Sequence, residues 1–293
     1  MTTIHSIVAA TDFSPGSDAA VERAVQIALA HGAPLRLLHA FEVSAWHSLK
    51  GVFDAKCLTM DPPADVRMQQ RLTALAAALA ERTGLQVEAR FNIGDPDSAI
   101  KAYVAAHATS LVVIASRADP AVPGVGSTTS KVVRSPACPV LVVRLTPSHP
   151  YGKVLTAVDL REVSMRAAFT AVALFPESQH HLLMAMDPAL DHALRLGDVT
   201  KEQARVLRES MHTETVQQMD RLARELTGAA QHPVAAEVVN ALPARALIEQ
   251  AQMLPADCVA VGHHGQGALE ALFLSSTAQH VLHHTLRDVL VVP

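Results

Sequence analysis

The chain repeats itself at domain length. Ile7-Val8-Ala9-Ala10-Thr11-Asp12 returns 147 residues later as Val154-Leu155-Thr156-Ala157-Val158-Asp159, and Pro139-Val140-Leu141-Val142-Val143 returns 149 residues later as Asp288-Val289-Leu290-Val291-Val292. Solenoid and propeller repeats run at roughly 20–50 residues, so a period this long marks a duplicated small domain. The length of 293 residues agrees, since about 150 residues make a domain able to bury its own core. Thr146-Pro147-Ser148-His149-Pro150 reads as the linker, because two prolines favour a stiff, extended connection. The expected domains are therefore 1–146 and 151–293.

Within the first half, short apolar runs alternate with helical patterns. Strands are expected at Ile7 to Thr11, Leu35 to Phe41, Val87 to Phe91, Leu111 to Ala115 and Val140 to Val143. The intervening helices start from a cap at Ser17 or Asp18, from Pro63 to Arg82, from Asp97 to His107 and from Thr128 to Arg134. The second half repeats the order, with strands at Val154 to Val158, His181 to Met186, Ala235 to Val239, Cys258 to Val261 and Val289 to Val292. Its helices are expected near 164–175, 199–227, 243–253 and 275–284. A parallel connection needs a crossover, usually helical, so the alternation implies an α/β fold: two tandem open parallel five-stranded sheets with helices on both faces. Ser44 to Asp65 has no close counterpart in the second half and is expected to be a mobile loop.

Composition narrows the function. A net charge of −4 without blocks of like charge gives no general attraction to nucleic acid or to an anionic membrane. No stretch reaches the roughly 18 apolar residues of a membrane span, and the amino end has no leader pattern. Three well-separated cysteines, Cys57, Cys138 and Cys258, form neither a Cys-x-x-Cys pair nor an even disulfide framework, which fits the reducing cytoplasm.

The strongest local motif is Val261-Gly262-His263-His264-Gly265-Gln266-Gly267, directly after the fourth strand of the second half and followed by Ser275-Ser276-Thr277 at a helix start. Glycine lets a backbone turn sharply and approach a ligand, and a helix amino end offers unpaired N–H groups suited to phosphate. In open parallel sheets ligands bind outside the carboxyl ends of the strands, where Asp159 and Gly262 would meet. A tight strand-to-helix turn explains the same glycines without any ligand. Asp12 and Asp159, at matching positions, are expected to touch a ribose hydroxyl or a metal; the alternative is a loop carboxylate bonded to its own turn.

These features resemble the universal stress protein family, here as a tandem pair covering nearly the whole chain. The resemblance rests on the first strand ending in Asp, on the Gly-x2-Gly-x9 loop after the fourth strand, and on Ser127-Thr128-Thr129-Ser130-Lys131-Val132-Val133-Arg134-Ser135-Pro136-Ala137-Cys138-Pro139-Val140-Leu141-Val142-Val143. It implies an adenine-nucleotide α-hydrolase-like, Rossmann-type fold, and in the nucleotide-binding branch ATP with Mg²⁺, held by the Asp and a Gly-x2-Gly-x9-Gly-Ser/Thr motif. In the second half Gly262 and Gly265 match, but Ser275 stands for the third glycine, before Ser276. In the first half Ala115 and Ala118 replace the first two glycines, the loop is two residues shorter, and Gly126-Ser127 match, with Gly124 and Thr128 beside them. The second half is thus the expected site: Asp159, Gly262, His263, His264, Gly265, Gly267, Ser275 and Ser276. Asp12, Gly124, Gly126, Ser127 and Thr128 form the degenerate counterpart.

His280 and His284 are spaced i, i+4, yet lack the intervening Glu of a zinc protease, and read as exposed helix residues. There is no Gly-x4-Gly-Lys-Ser/Thr, no Gly-x-Ser-x-Gly and no kinase signature, so at most weak ATPase activity is expected. The apolar closing strands invite pairing of the two halves, as the resemblance implies, and a homodimer. The expectation is a cytoplasmic adenine-nucleotide-binding sensor or adaptor. The alternative is a nucleotide-free tandem scaffold with relic glycine loops.

Overall fold

The computed structural model describes residues 4–42, 63–119, 124–186, 200–263 and 275–293. The expected loop at 44–65 lies almost wholly outside them, as do His264, Gly265 and Gly267. The chain forms two compact units, Ile4–Pro147 and Ser148–Pro293.

The first unit runs β1 (Ile7–Ala10), α1 (Pro15–His31), β2 (Leu35–Phe41), α2 (Ala64–Thr83), β3 (Val87–Ile93), α3 (Pro96–Ala106), β4 (Leu111–Ala115), α4 (Ser127–Arg134) and β5 (Val140–Val143). Its strands pair in parallel in the order β3-β2-β1-β4-β5. The second unit runs β6 (Lys153–Ala157), α5 (Glu162–Leu174), β7 (Gln179–Met186), α6 (Lys201–Thr227), β8 (Ala235–Asn240), α7 (Pro243–Met253), β9 (Cys258–Gly262), α8 (Ser276–His284) and β10 (Asp288–Val292). Its order is β8-β7-β6-β9-β10, again parallel.

Local chemistry sets the helix ends. The sequence suggests a cap for α1 at Ser17 or Asp18, but the helix starts three residues earlier. Ser14 Oγ accepts the Ser17 N–H at 3.3 Å, and Pro15 fits the first turn because its missing N–H would have been unpaired there anyway. α1 ends at Gly32 (φ 59°) and α2 at Gly84 (φ 71°), both in the left-handed region that glycine enters without Cβ strain. Arg82 Nη2 of α2 donates to Glu22 Oε1 of α1 at 2.7 Å, so these helices share one face of the sheet, while α3 and α4 touch each other on the opposite face. In the second unit α5 and α6 bury Ala168, Val172, Met219, Leu222, Ala223 and Leu226 against Leu182 of β7. The burial of such side chains, about 1.5–3 kcal/mol each, is the main force holding the layers.

In each unit the chain leaves the first strand in one direction and returns on its other side to the fourth. The reversal opens a crevice between β1 and β4, and between β6 and β9, at the carboxyl ends of the strands. The amino ends are closed by structural acids: Asp257 Oδ2 accepts the Gly152 and Lys153 N–H groups at 2.7 and 3.0 Å, and fully buried Asp288 accepts the Tyr151 hydroxyl.

Candidate functional site

The turn after the first strand is built alike in both units. Asp12 Oδ1 accepts the Ser14 N–H at 3.0 Å and Asp159 Oδ1 accepts the Arg161 N–H at 3.0 Å, the two-residue reach of an Asx turn. Between each pair lies a bulky residue at positive φ, Phe13 at 61° and Leu160 at 60°. Such a conformation costs on the order of 1–3 kcal/mol outside glycine, so something must hold it. Phe13 lies 4.7 Å from the His39 ring with the Arg71 guanidinium 4.4 Å above it, and Leu160 packs on the core of α5 and α6. Apolar contact thus fixes the turn, and the turn aims each carboxylate at its crevice.

The two carboxylates then differ. Each accepts a serine hydroxyl, Asp12 that of Ser14 and Asp159 that of Ser164 at 2.6 Å, but Asp159 Oδ2 also lies 3.8 Å from Arg161 Nε. Asp12 makes no ion pair among the described residues and lines an open cleft. Burial pushes its pKa up, but hydrogen bonds from the Ser14 hydroxyl and backbone, with Ser17, outweigh this and hold it below the ordinary carboxylate value. Asp12 is therefore an anion at neutral pH. Beneath it, His39 Nδ1 lies 2.7 Å from the Thr11 carbonyl, and burial lowers its pKa despite that bond.

The cleft of the first unit has a volume of about 620 Å³. Asp12, Glu42, Arg117, Asp119, Ser127 and Thr128 supply its polar lining, over an apolar floor that includes Leu38, Ile100 and Ile114. That size and mixture suit a small organic ligand. Gly126, the N-cap of α4, has no side chain to bond the first turn, so the amino end of α4 meets the cleft without a side-chain cap. Thr129 Oγ1 instead donates to the Ala115 carbonyl at 2.7 Å, tying the helix to β4.

At the matching place in the second unit, Ser275 caps α8 with its own hydroxyl, which accepts the Ala278 N–H at 3.1 Å. The third glycine is not needed for backbone conformation, since Gly126 has φ −69° and Ser275 −56°. Glycine at 126 leaves the helix end without a side-chain cap, and it also eases a close approach, since a Cβ would stand 3.3 Å from the Ser116 carbonyl oxygen. Ser276 is the first residue of α8. His263 is 7 % exposed, its N–H donates to the Val292 carbonyl at 2.7 Å, and it lies at the end of β9.

Gly262 meets a packing demand. A Cβ there would stand 3.0 Å from Val163 Cγ1 and 3.1 Å from the Val163 carbonyl, so the residue gives α5 room to approach β9. In the first unit the missing Cβ has changed sides. Ala115 occupies the strand position, and Gly16 of α1 comes so close that its Cβ would fall 2.0 Å from the Arg117 carbonyl oxygen. Ala115 and Ala118 are not at positive φ, so alanine costs no left-handed strain there. Among the described loop glycines of the two motifs only Gly124, at φ 91°, requires glycine for conformation.

The sequence passed over Gly16, Thr11, Ser17, Arg117, Glu42 and Asp119. Arg117 lay in plain view between the two alanines of the degenerate motif; the others depend on which elements meet. His280 and His284 stand with ring centres 4.3 Å apart, and no group of three metal-ligating side chains occurs among the described residues. No helix among them is long and apolar enough to cross a membrane.

The profile of the universal stress protein family matches residues 3–144 and again 150–293. A universal stress protein of Mycolicibacterium smegmatis is 27 % identical over 300 residues, covering 99 % of this chain and 97 % of its own. The crystal structure of a universal stress protein from Archaeoglobus fulgidus superposes with a TM-score of 0.66 at 18 % identity, covering 99 % of both chains. A universal stress protein crystallised in complex with cAMP matches 50 % of this chain and 99 % of its own, at 21 % identity and a TM-score of 0.38. The chain belongs to the universal stress protein family, as a tandem of two of its domains.

Proposed function

We propose that this stress-response protein binds an adenine nucleotide in the cleft of its first unit, and works as a sensor or adaptor in which turnover is incidental. The observation that carries this reading is the amino end of α4, uncapped by any side chain and open to a cleft of about 620 Å³ that the carboxylate of Asp12 also lines. Unpaired N–H groups at a helix end attract phosphate, and a carboxylate at the opposite side suits a ribose hydroxyl or a metal on the phosphates. Motif count alone favours the second unit, which keeps more of the glycines. Geometry favours the first, because Ser275 already caps α8 and Arg161 already lies against Asp159. A scaffold role for the second unit follows from the same contacts. Two buried cysteines, Cys138 and Cys258, that form no disulfide among the described residues support a reducing compartment, the cytoplasm.

The test is calorimetric titration of ATP, with and without Mg²⁺, into the whole chain and into Asp12→Ala, Gly126→Ser and Asp159→Ala proteins shown to be folded by circular dichroism. The expected result is about one site per chain, weakened by Asp12→Ala and lost in Gly126→Ser, whose new hydroxyl would cap α4 as Ser275 caps α8. Asp159→Ala should bind normally. Silence at millimolar ATP, or a loss confined to Asp159→Ala, would sink the reading.

A further inference from the structure

We propose that the Arg117 guanidinium is the phosphate-holding group of the first unit's cleft, so that the site takes a nucleotide phosphate without a divalent cation. The proposal rests on the nucleotide reading above and goes beyond it in naming what recognises the phosphate. Arg117 is the second residue after β4 and lines the cleft beside Gly126, Ser127 and Thr128. Its Nε is enclosed and has no hydrogen-bond partner, and its side chain makes no ion pair among the described residues. A guanidinium is always charged and carries five donors, so with Nε enclosed its outer Nη groups are the ones left to meet an anion.

The loop glycines explain how it lies there. A Cβ on Gly124 would sit 3.5 Å from Arg117 Nη2 and 3.8 Å from Nε, and one on Gly126 would sit 3.9 Å from Arg117 Cγ. The side chain therefore runs along the Gly124–Gly126 backbone, at ordinary van der Waals distance from where a Cβ would stand. The other charged residues lining the cleft, Asp12, Glu42 and Asp119, are carboxylates and repel bare phosphate. Between them an anion settles at the α4 end, where Arg117 can offer two parallel N–H bonds to phosphate oxygens and the helix end adds its own N–H groups. The chain itself thus supplies the positive charge.

The experiment titrates AMP and adenosine, in EDTA, into the full chain and its Arg117→Gln and Arg117→Lys forms, each checked for folding. Wild type should bind AMP saturably without metal. Arg117→Gln should weaken AMP by about 10- to 100-fold and leave adenosine unchanged, as expected for loss of charge-assisted bonds. Arg117→Lys keeps the charge but not the fork and should fall between, which preserves the test if the Gln form does not fold. AMP binding equal in wild type and both variants, or binding only when Mg²⁺ is added, overturns the proposal and leaves the nucleotide reading standing. If neither adenosine nor AMP nor Mg²⁺-ATP binds, the nucleotide reading itself fails and takes the proposal with it.

Discussion

His180 shows how one buried side chain can set a pH limit. It is 1 % exposed in β7; its Nε2–H donates to the Phe175 carbonyl at 2.8 Å, and Nδ1 is enclosed without a partner. A proton on Nδ1 would add a buried charge and an unsatisfied donor. Burial accordingly lowers the pKa of His180, opposed by the Phe175 carbonyl, and lowers that of His39, opposed by the Thr11 carbonyl. Because the folded values lie below the ordinary 6.5, the unfolded chain takes up protons first on acidification. Stability from these groups is complete above about pH 6.5 and is lost as the pH falls through the lowered folded values. Urea unfolding should therefore give a lower midpoint at about pH 5.5 than at about pH 7.5, and His180→Leu should flatten the difference. An unchanged pH slope in that variant would assign the effect elsewhere. In the sequence His180 was one of an adjacent pair with no sign of which face it took. A strand alternates faces, so burial at 180 and partial exposure at 181 follow only from the register of β7 on β6.

At the scale of elements, the helix after the first strand packs closely on the segment at the end of the fourth in both units, and each close contact has a glycine, at a different point. The first unit puts the glycine on the helix at Gly16, and the second puts it on the strand at Gly262, opposite Val163. Gly262→Ala should destabilise the protein by about 1–3 kcal/mol, the usual cost of overpacking. Gly16→Ala should cost more, since its Cβ would meet a backbone oxygen at 2.0 Å that no rotamer change can relieve. Val163→Gly should recover part of the Gly262→Ala loss in a double-mutant cycle read by denaturant midpoints. Additive losses would mean that the two positions do not oppose each other. Motif reading weighed Gly262 between ligand approach and a tight turn and took Ala115 and Ala118 as losses from the motif, because it scores one segment at a time. The strands themselves were legible: Leu35–Phe41, Leu111–Ala115 and Val140–Val143 have the ends their apolar runs imply. The start of α1 was not, because Ser14, Ser17 and Asp18 are all competent caps and Pro15 decides among them.

On the scale of the molecule, duplication produced two like sheets whose mouths have diverged. If ligand binds the first mouth alone, hydrogen exchange with saturating nucleotide should slow in the turn after β1, in the loop leaving β4 and at the start of α4. The turn at Asp159 and the amino end of α8 should exchange as before. Equal protection at both mouths would contradict the division of labour. The sequence by itself determined the duplicated α/β architecture, the alternation of helices with parallel strands, and the family. All of these follow from apolar periodicity and repeated segments, which local physics writes into neighbouring residues. What distinguishes the two mouths was decided only by tertiary structure. That outcome turns on a serine capping its own helix, an arginine lying along glycine backbone, and a Cβ missing from one side of a close contact rather than the other. Each depends on the distance between atoms far apart in the chain, and packing sets that distance.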